Sequence, residues 1–118
     1  MTGTSINQII LFVRNMAAEV HFYRDIMGLE LRFPGAMEDY SNALWVEFDA
    51  GGCSLALHGG ADEAPSQQHQ IVFRVDDLER TRNELLNAGI EIGEIRLLED
   101  GKPAAKGIDP EGHPFTIR

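Results

Sequence analysis

The side chains best suited to proton transfer or charge recognition are Glu47, His58 and Arg74, and each lies in a run rich in β-forming residues. A carboxylate and an imidazole on neighbouring strands can act together as general acid and base, so Glu47 and His58 are the candidate catalytic residues. The planar guanidinium of Arg74 can either clamp a ligand carboxylate or pair with Glu47. Which of these two roles Arg74 has depends on the sheet face to which its side chain points.

The single cysteine, Cys53, is a weaker candidate for chemistry. It begins a β-rich run beside two glycines, and no neighbouring residue in the sequence would activate its thiol. We therefore predict a small buried hydrophobic side chain. One cysteine cannot form an internal disulfide, which is typical of a protein in the reducing cytoplasm.

The elements that would position these residues occur twice in the sequence. The run from residue 7 to 31 aligns with the run from 69 to 92, and the alignment pairs Gln8 with Gln70. One extra residue in the first copy's helix means that Gly28 pairs with Gly89 rather than with Ile90. The segments DAGGCSLALH and DPEGHPFTIR then align as the ends of the two copies. Self-similarity of this kind indicates a duplicated unit.

Each copy has the pattern of one strand, one helix and three further strands. Asn15 caps the first predicted helix, and Asp76 or Asp77 caps the second. The predicted strands span 6–13, 29–33, 44–49, 54–58, 70–75, 91–98, 104–109 and 115–118. We therefore predict one α+β domain over 1–118, made of tandem βαβββ modules at about 5–60 and about 68–118. Their curved mixed sheets, paired either within one chain or across a dimer, would line an open cleft.

Alternation along the strands predicts which side chains face that cleft and which pack beneath the helices. The packed set includes Ile9, Val46 and Phe48, and we place Leu44 with them. The predicted ligand-binding residues on the cleft face are Gln8, Phe12, Trp45, Glu47, Ala56, His58, Gln70, Arg74 and Thr116. The rings of Phe12 and Trp45 would form a flat apolar wall for an aromatic ligand, unless Trp45 belongs to the core.

Composition limits the partners of this chain. The formal net charge is -9 at pH 7, so no basic surface is present to neutralise the phosphates of a nucleic acid. No apolar run approaches the length of a membrane span, and we expect no membrane partner. The acidic balance is compatible with a cationic small molecule, although solubility alone accounts for it.

Several motifs in this order resemble the vicinal oxygen chelate superfamily, which includes glyoxalase I, extradiol dioxygenases and the bleomycin-resistance proteins. They are the repeated β-α-β-β-β pattern, the helix exit FYRDIMGLEL, the helix entry FRVDDLE and the terminal DPEGHPFTIR. The resemblance covers essentially the whole chain. It implies the fold and a homodimer, but it implies function only weakly because one scaffold hosts many chemistries.

The resemblance also implies four metal-ligand positions, on the first, fourth, fifth and eighth strands. Here those positions hold Gln8, Ala56, Gln70 and Thr116. The family typically places His, Gln or Glu there, whereas Ala56 has no donor atom and the other three carry no charge. We therefore predict no metal at these positions and no cofactor. A divalent metal at a shifted site formed by His58, Glu47 and Gln8 is the alternative.

Two main functional interpretations follow from the resemblance. The first is a metal-free, cytoplasmic homodimer that binds a small organic molecule, by analogy with the bleomycin-resistance proteins. The second is a glyoxalase-type lyase or isomerase, which requires the shifted metal at His58 or a metal-free acid–base pair of Glu47 with His58. A binding or regulatory subunit without activity is a third.

Overall fold

The computed structural model describes residues 3–118, which divide into two compact units between Glu63 and Ala64. The elements of the first unit are β1 (Gln8–Phe12), α1 (Met16–Val20), β2 (Glu30–Phe33), β3 (Trp45–Asp49) and β4 (Ser54–His58). Those of the second unit are β5 (Ile71–Phe73), α2 (Leu78–Asn87), β6 (Arg96–Leu97), β7 (Pro103–Ile108) and β8 (Pro114–Ile117). Among the described residues, no helix is long and apolar enough to cross a membrane.

Each unit contains one four-stranded mixed sheet. The strand order is β1-β4-β3-β2 in the first unit and β5-β8-β7-β6 in the second. In both, the strand before the helix pairs in parallel with the last strand of the unit, and the remaining pairs are antiparallel. A helical crossover is what allows that parallel pair to form. The repeated topology confirms the predicted α+β fold of two βαβββ modules.

The first helix changes its hydrogen bonding halfway along. The Asn15 side chain caps α1, and the helix then continues as a π-helical turn at His21–Ile26. At its end the Met27 amide donates to the Phe22 carbonyl at 2.8 Å, five residues back. In the second unit Asp77 caps α2, which is α-helical throughout. A π-helical turn holds one more residue than an α-helical turn, so it accommodates the extra residue found in the repeat.

The core of the first unit lies on the sheet face that alternation assigns to the helix. Val46, Phe48 and Leu57 are fully buried there. The ring centroids of Tyr23 and Phe48 lie 6.4 Å apart, which places the helical segment against this face. Two residues of the predicted packed set are not buried. Leu44 is 72% exposed, because β3 begins only at Trp45 and Leu44 precedes the pleated strand. Ile9 is 36% exposed on the edge strand β1.

The second unit has a core of the same kind, but one strand is shorter than predicted. Phe115 and Leu85 are buried, and the rings of Phe73 and Phe115 meet edge to face. The strand predicted over 91–98 contains only Arg96–Leu97. The segment before it reaches β7 through irregular bonds, from the Gly93 amide to the Lys106 carbonyl at 2.8 Å and from Ile108 to Glu91 at 3.1 Å. These bonds replace a regular ladder.

Candidate functional site

In the first unit, side chains from three strands form a polar network around one carboxylate. Gln8 and Ser54 are register partners on β1 and β4, and the Gln8 amide donates to Ser54 Oγ at 2.9 Å. The same nitrogen donates to Oε1 of Glu47 on β3 at 3.0 Å, and Trp45 Nε1 donates to that oxygen at 3.2 Å. Two donors therefore fix the carboxylate through one oxygen. Oε2 has no hydrogen-bond partner within residues 3–118.

Aromatic side chains occupy the other end of the same face. Phe12, His58 and Trp45 lie opposite one another on β1, β4 and β3. The Phe12 and His58 ring centroids lie 5.1 Å apart, and Trp45 meets His58 edge to face at 6.0 Å. Phe12 is 60% exposed and Trp45 is half-buried, so this wall is open to a ligand and Trp45 does not belong to the core.

The imidazole of His58 has a defined orientation. Its Nδ1 lies 2.8 Å from the carbonyl oxygen of Gly59, which can only accept, so Nδ1 carries the proton. In the neutral form of the ring, the lone pair is then on Nε2. No hydrogen bond or ion pair joins His58 to Glu47 in the described part of the chain, and the Trp45 indole contacts both. The two candidate catalytic residues thus share a surface without forming a pair.

A polar cavity of about 350 Å³ adjoins the Gln8 network. Its lining includes Glu47, Cys53 and the ion pair of Arg32 with Asp49, whose atoms lie 2.5 Å apart. The Gly51 amide and the Arg32 guanidinium both hold the pKa of Asp49 below its ordinary value, the amide more strongly. Cys53 is half-buried in this lining, which corrects the prediction of a buried side chain. The volume suits a small organic group.

In the second unit, the predicted site residues lie on one face of the other sheet. The Thr116 hydroxyl donates to Oε1 of Gln70, and Thr116 is buried whereas Gln70 is exposed. Arg74 is exposed and forms no ion pair with any described residue of its unit. The register places Lys106 of β7 directly opposite Thr116, on the same face. Alternation along β7 could have placed Lys106 on this face, although not opposite Thr116, and none of the family's four ligand positions lies on that strand.

The residues at the family's metal positions do not fit a divalent cation. In the first unit, Gln8 directs its amide nitrogen at Glu47 and Ser54, and Ala56 is buried with no donor atom. In the second unit, the oxygen of Gln70 already accepts from the hydroxyl of Thr116. Neither pair offers an anionic ligand, which hard and borderline cations require for charge compensation.

The shifted alternative fits no better as a metal centre. Within residues 3–118, Glu47 and His58 belong to no group of three His, Cys, Asp or Glu side chains with converging ligand atoms. The third member of the shifted set, Gln8, directs its nitrogen at Glu47 rather than an oxygen. The absence of a metal at the family positions and at the shifted set stays a prediction, supported by the chemistry of these donors.

A comparison with known proteins extends over almost the whole chain. The family model described as Glyoxalase/Bleomycin resistance protein/Dioxygenase superfamily matches residues 5–116. A solved glyoxalase family protein from Enterococcus faecalis is 22% identical, with 99% of this chain and 98% of that chain covered and a TM-score of 0.79. The oxidase ChaP-H2 is 26% identical, with coverages of 99% and 93% and a TM-score of 0.73. TnmS3, an antibiotic binding protein from Streptomyces sp. CB03234, is 17% identical, with coverages of 100% and 97% and a TM-score of 0.75.

Proposed function

The chain belongs to the Glyoxalase/Bleomycin resistance protein/Dioxygenase superfamily, and we propose that it binds a small organic molecule without transforming it. The observation that carries the proposal is the sheet face of the first unit. There the oriented carboxylate of Glu47 stands beside the exposed ring of Phe12 and the edge-to-face pair of Trp45 and His58. Apolar contact with the rings would supply affinity, and the carboxylate would set the ligand's orientation.

The chemistry of this face specifies a class of ligand. Oε1 of Glu47 accepts from Gln8 and Trp45, so Oε2 remains available to a donor on the ligand. The rings of Phe12 and Trp45 attract a planar body and, through their π faces, a positive charge. We therefore propose a planar organic molecule that carries an ammonium or a similar donor. The net charge of -9 would favour the approach of such a cation.

The structural relatives give this proposal partial support. TnmS3 is described as an antibiotic binding protein, and it shares the fold of this chain over its whole length. A member of this fold can therefore serve as a binding protein. Metal-dependent members have metal-ligating residue types at the positions of Ala56 and Thr116, and these two residues are of other types. This difference also favours a binding function for this chain.

A fluorescence titration tests the proposal directly, because Trp45 is the sole tryptophan. Proflavine, a planar aromatic cation, is expected to quench Trp45 saturably, whereas naphthalene sulfonate, a planar anion, is expected to leave it unchanged. Phe12→Ala should weaken proflavine binding about tenfold through the lost ring contact. Leu97→Ala removes a comparably exposed apolar side chain from the second unit and serves as the control. Equal quenching of Trp45 by both probes, or no effect of Phe12→Ala, would contradict the proposal.

A glyoxalase-type lyase or isomerase is the second candidate, and the orientation of His58 is the observation that favours it. With Nδ1 donating to Gly59, Nε2 can accept a proton from a substrate or ligate a metal. Metal content after exposure to zinc, nickel, manganese and iron and then dialysis distinguishes the two functions. Near one equivalent per chain, lost on His58→Ala, favours the enzyme. Less than about a tenth of an equivalent, with no thermal shift on adding metal, favours the binding protein.

The proposal includes a cytoplasmic homodimer as the working form. The family resemblance supports the dimer, and the single Cys53 suits a reducing compartment. Sedimentation equilibrium on the purified chain measures the assembly: a monomer over the whole concentration range would remove the dimer from the proposal and leave the ligand-binding part unchanged.

A further inference from the structure

Two cations of this acidic chain stand on one sheet face of the second unit without an ion pair. β5 and β7 both pair with β8, and the register places Val72 and Lys106 on either side of Thr116, about 10 Å apart. Arg74 follows Val72 by two residues, and the ladder continues past it through the bond from the Val75 amide to the Arg118 carbonyl. Alternation therefore gives Arg74 and Lys106 the same face.

Pairing with a carboxylate is common but not general among the other cations of the described chain: Arg82 donates to the Gly93 carbonyl at 2.6 Å instead, and Lys102 has no carboxylate partner in residues 3–118. Ion pairs with carboxylates are formed by Arg24, Arg32, Arg80, Arg96 and Arg118. In the described part of the second unit, Arg74 and Lys106 have no such partner although both are exposed. None of the positions that the register gives this face is acidic. The local charge of this face is therefore positive, whereas the net charge of the chain is -9.

Gln70 adds an oriented neutral donor to the same face. Its Oε1 accepts from the buried Thr116 hydroxyl, so its amide nitrogen, with two N–H groups, is directed elsewhere and has no partner in residues 3–118. The groups around the half-exposed Val72 are thus a guanidinium, an ammonium and an amide NH₂, which all donate and do not accept. Such a set is complementary to an oxyanion and repels a cation.

We propose that this face binds the oxyanion of a small carboxylate or phosphate ester, with Arg74 and Lys106 as ligand-binding residues and Gln70 as the third donor. Val72 would contact the apolar body of the same ligand. At the end of the inner strand β8, the Arg118 guanidinium already holds the Asp100 carboxylate at 2.6 Å. This inference extends the proposed binding function to a second unit and a ligand of opposite charge, so the two proposals are tested with different probes.

Two-dimensional amide NMR on the full chain, titrated with benzoate and separately with phenyl phosphate, tests the inference. We expect shifts at Val72, Lys106 and Thr116 with at least one of the two probes, and the stronger probe identifies the oxyanion. Arg74→Met and Lys106→Met should each weaken binding about tenfold or more. Arg80→Met on α2 removes an equal charge from the helix of the same unit and should leave affinity within about twofold. Melting curves by circular dichroism establish that each variant is folded.

Three results would overturn the inference: no shifts on this face with either probe, unchanged affinity in both Met variants, or an equal loss in Arg80→Met. The last would mean a general charge effect. Proflavine quenching of Trp45 is recorded on the same samples. If proflavine still quenches Trp45 while neither anion binds, the second-unit site is wrong and the first-unit proposal stands. If an anion binds while proflavine does not quench Trp45, only the first-unit proposal is rejected.

Discussion

The amide of Gln8 donates to Oε1 of Glu47 at 3.0 Å and so links two strands that are not neighbours in the sheet, since β4 lies between them. The bond spans 39 residues of sequence. Trp45 reaches the same oxygen from two residues along its own strand. Oε1 of Glu47 is therefore held by two hydrogen bonds within the protein. Because the carboxylate is rigid, these bonds also fix the direction of Oε2.

This arrangement predicts the effect of Glu47→Gln on ligand binding. The amide oxygen of glutamine can still accept from Gln8 and Trp45, so the fold should be preserved, but the negative charge is lost. Hydrogen bonds to a charged group contribute about 1.5–3 kcal/mol, which corresponds to about a ten- to hundredfold weaker affinity for proflavine. Fluorescence titration of Trp45 measures it. Glu63→Gln removes an exposed carboxylate from the same unit and is the control; equal affinities in all three proteins would contradict the role given to Glu47.

A buried pair in the DPEGHP turn predicts a large effect on stability. Nδ1 of His113 lies 2.7 Å from Oδ2 of Asp109, and Oδ1 of Asp109 accepts from the backbone amides of Glu111 and His113. Asp109→Ala removes the ion-pair contact with His113 and both amide hydrogen bonds from a buried site, and it should lower the free energy of unfolding by about 3–5 kcal/mol. Glu84→Gln breaks the exposed pair with Arg80 and should cost about 0.5 kcal/mol or less.

Urea denaturation of the two variants and the parent protein measures this difference. Similar free energies of unfolding in Asp109→Ala and Glu84→Gln would mean that the turn tolerates the loss of its buried carboxylate. The slope of the transition should stay constant, because neither substitution changes the surface exposed on unfolding.

The ion pair of Asp49 with Arg32 predicts a pH dependence of stability. The Gly51 amide and Arg32 hold the folded-state pKa of Asp49 below its ordinary value, so the group stabilises the fold above the unfolded pKa of about 3.9. This stabilisation is lost as the pH falls through the lowered folded pKa. Thermal melts at about pH 5 and about pH 3 should show a smaller drop in Tm for Asp49→Asn than for the parent. Asp62→Asn is the exposed control, and a drop as small in that variant would assign the effect to net charge.

Much of the fold follows from local signals. Strand alternation predicts that Gln8, Glu47 and His58 share a face, because on each strand they alternate with apolar residues that must pack beneath the helix. The capping residues Asn15 and Asp77 can also be predicted from the sequence, since a side-chain oxygen just before a helix accepts hydrogen bonds from backbone amides of its first turn. Comparison of the two copies indicates an extra residue in the first helix, although not that a π-helical turn holds it.

The contacts between strands could not be predicted in the same way. The bond from Thr116 to Gln70 and the position of Lys106 opposite Thr116 depend on register across two strand pairs, which composition and alternation leave open. The position of Cys53 in the lining of a cavity, half-buried rather than buried, is likewise not set by its sequence neighbours. Tertiary packing determines these features.

The shortened strand β6 leads to the last prediction, because its irregular pairing brings two backbones very close at Gly107. A Cβ atom at Gly107 would lie 2.8 Å from the Glu91 carbonyl oxygen and 2.8 Å from Cζ of the buried Phe115. Gly107→Ala should therefore force a backbone shift and lower the free energy of unfolding by about 1–3 kcal/mol. At Gly93, on the same segment, the nearest atom to a Cβ would be the Lys106 carbonyl oxygen at 3.5 Å, an ordinary contact. Gly93→Ala is thus the matched control and should change stability by less than about 1 kcal/mol in urea denaturation; equal losses in the two variants would show that the close approach at Gly107 is not what limits this position.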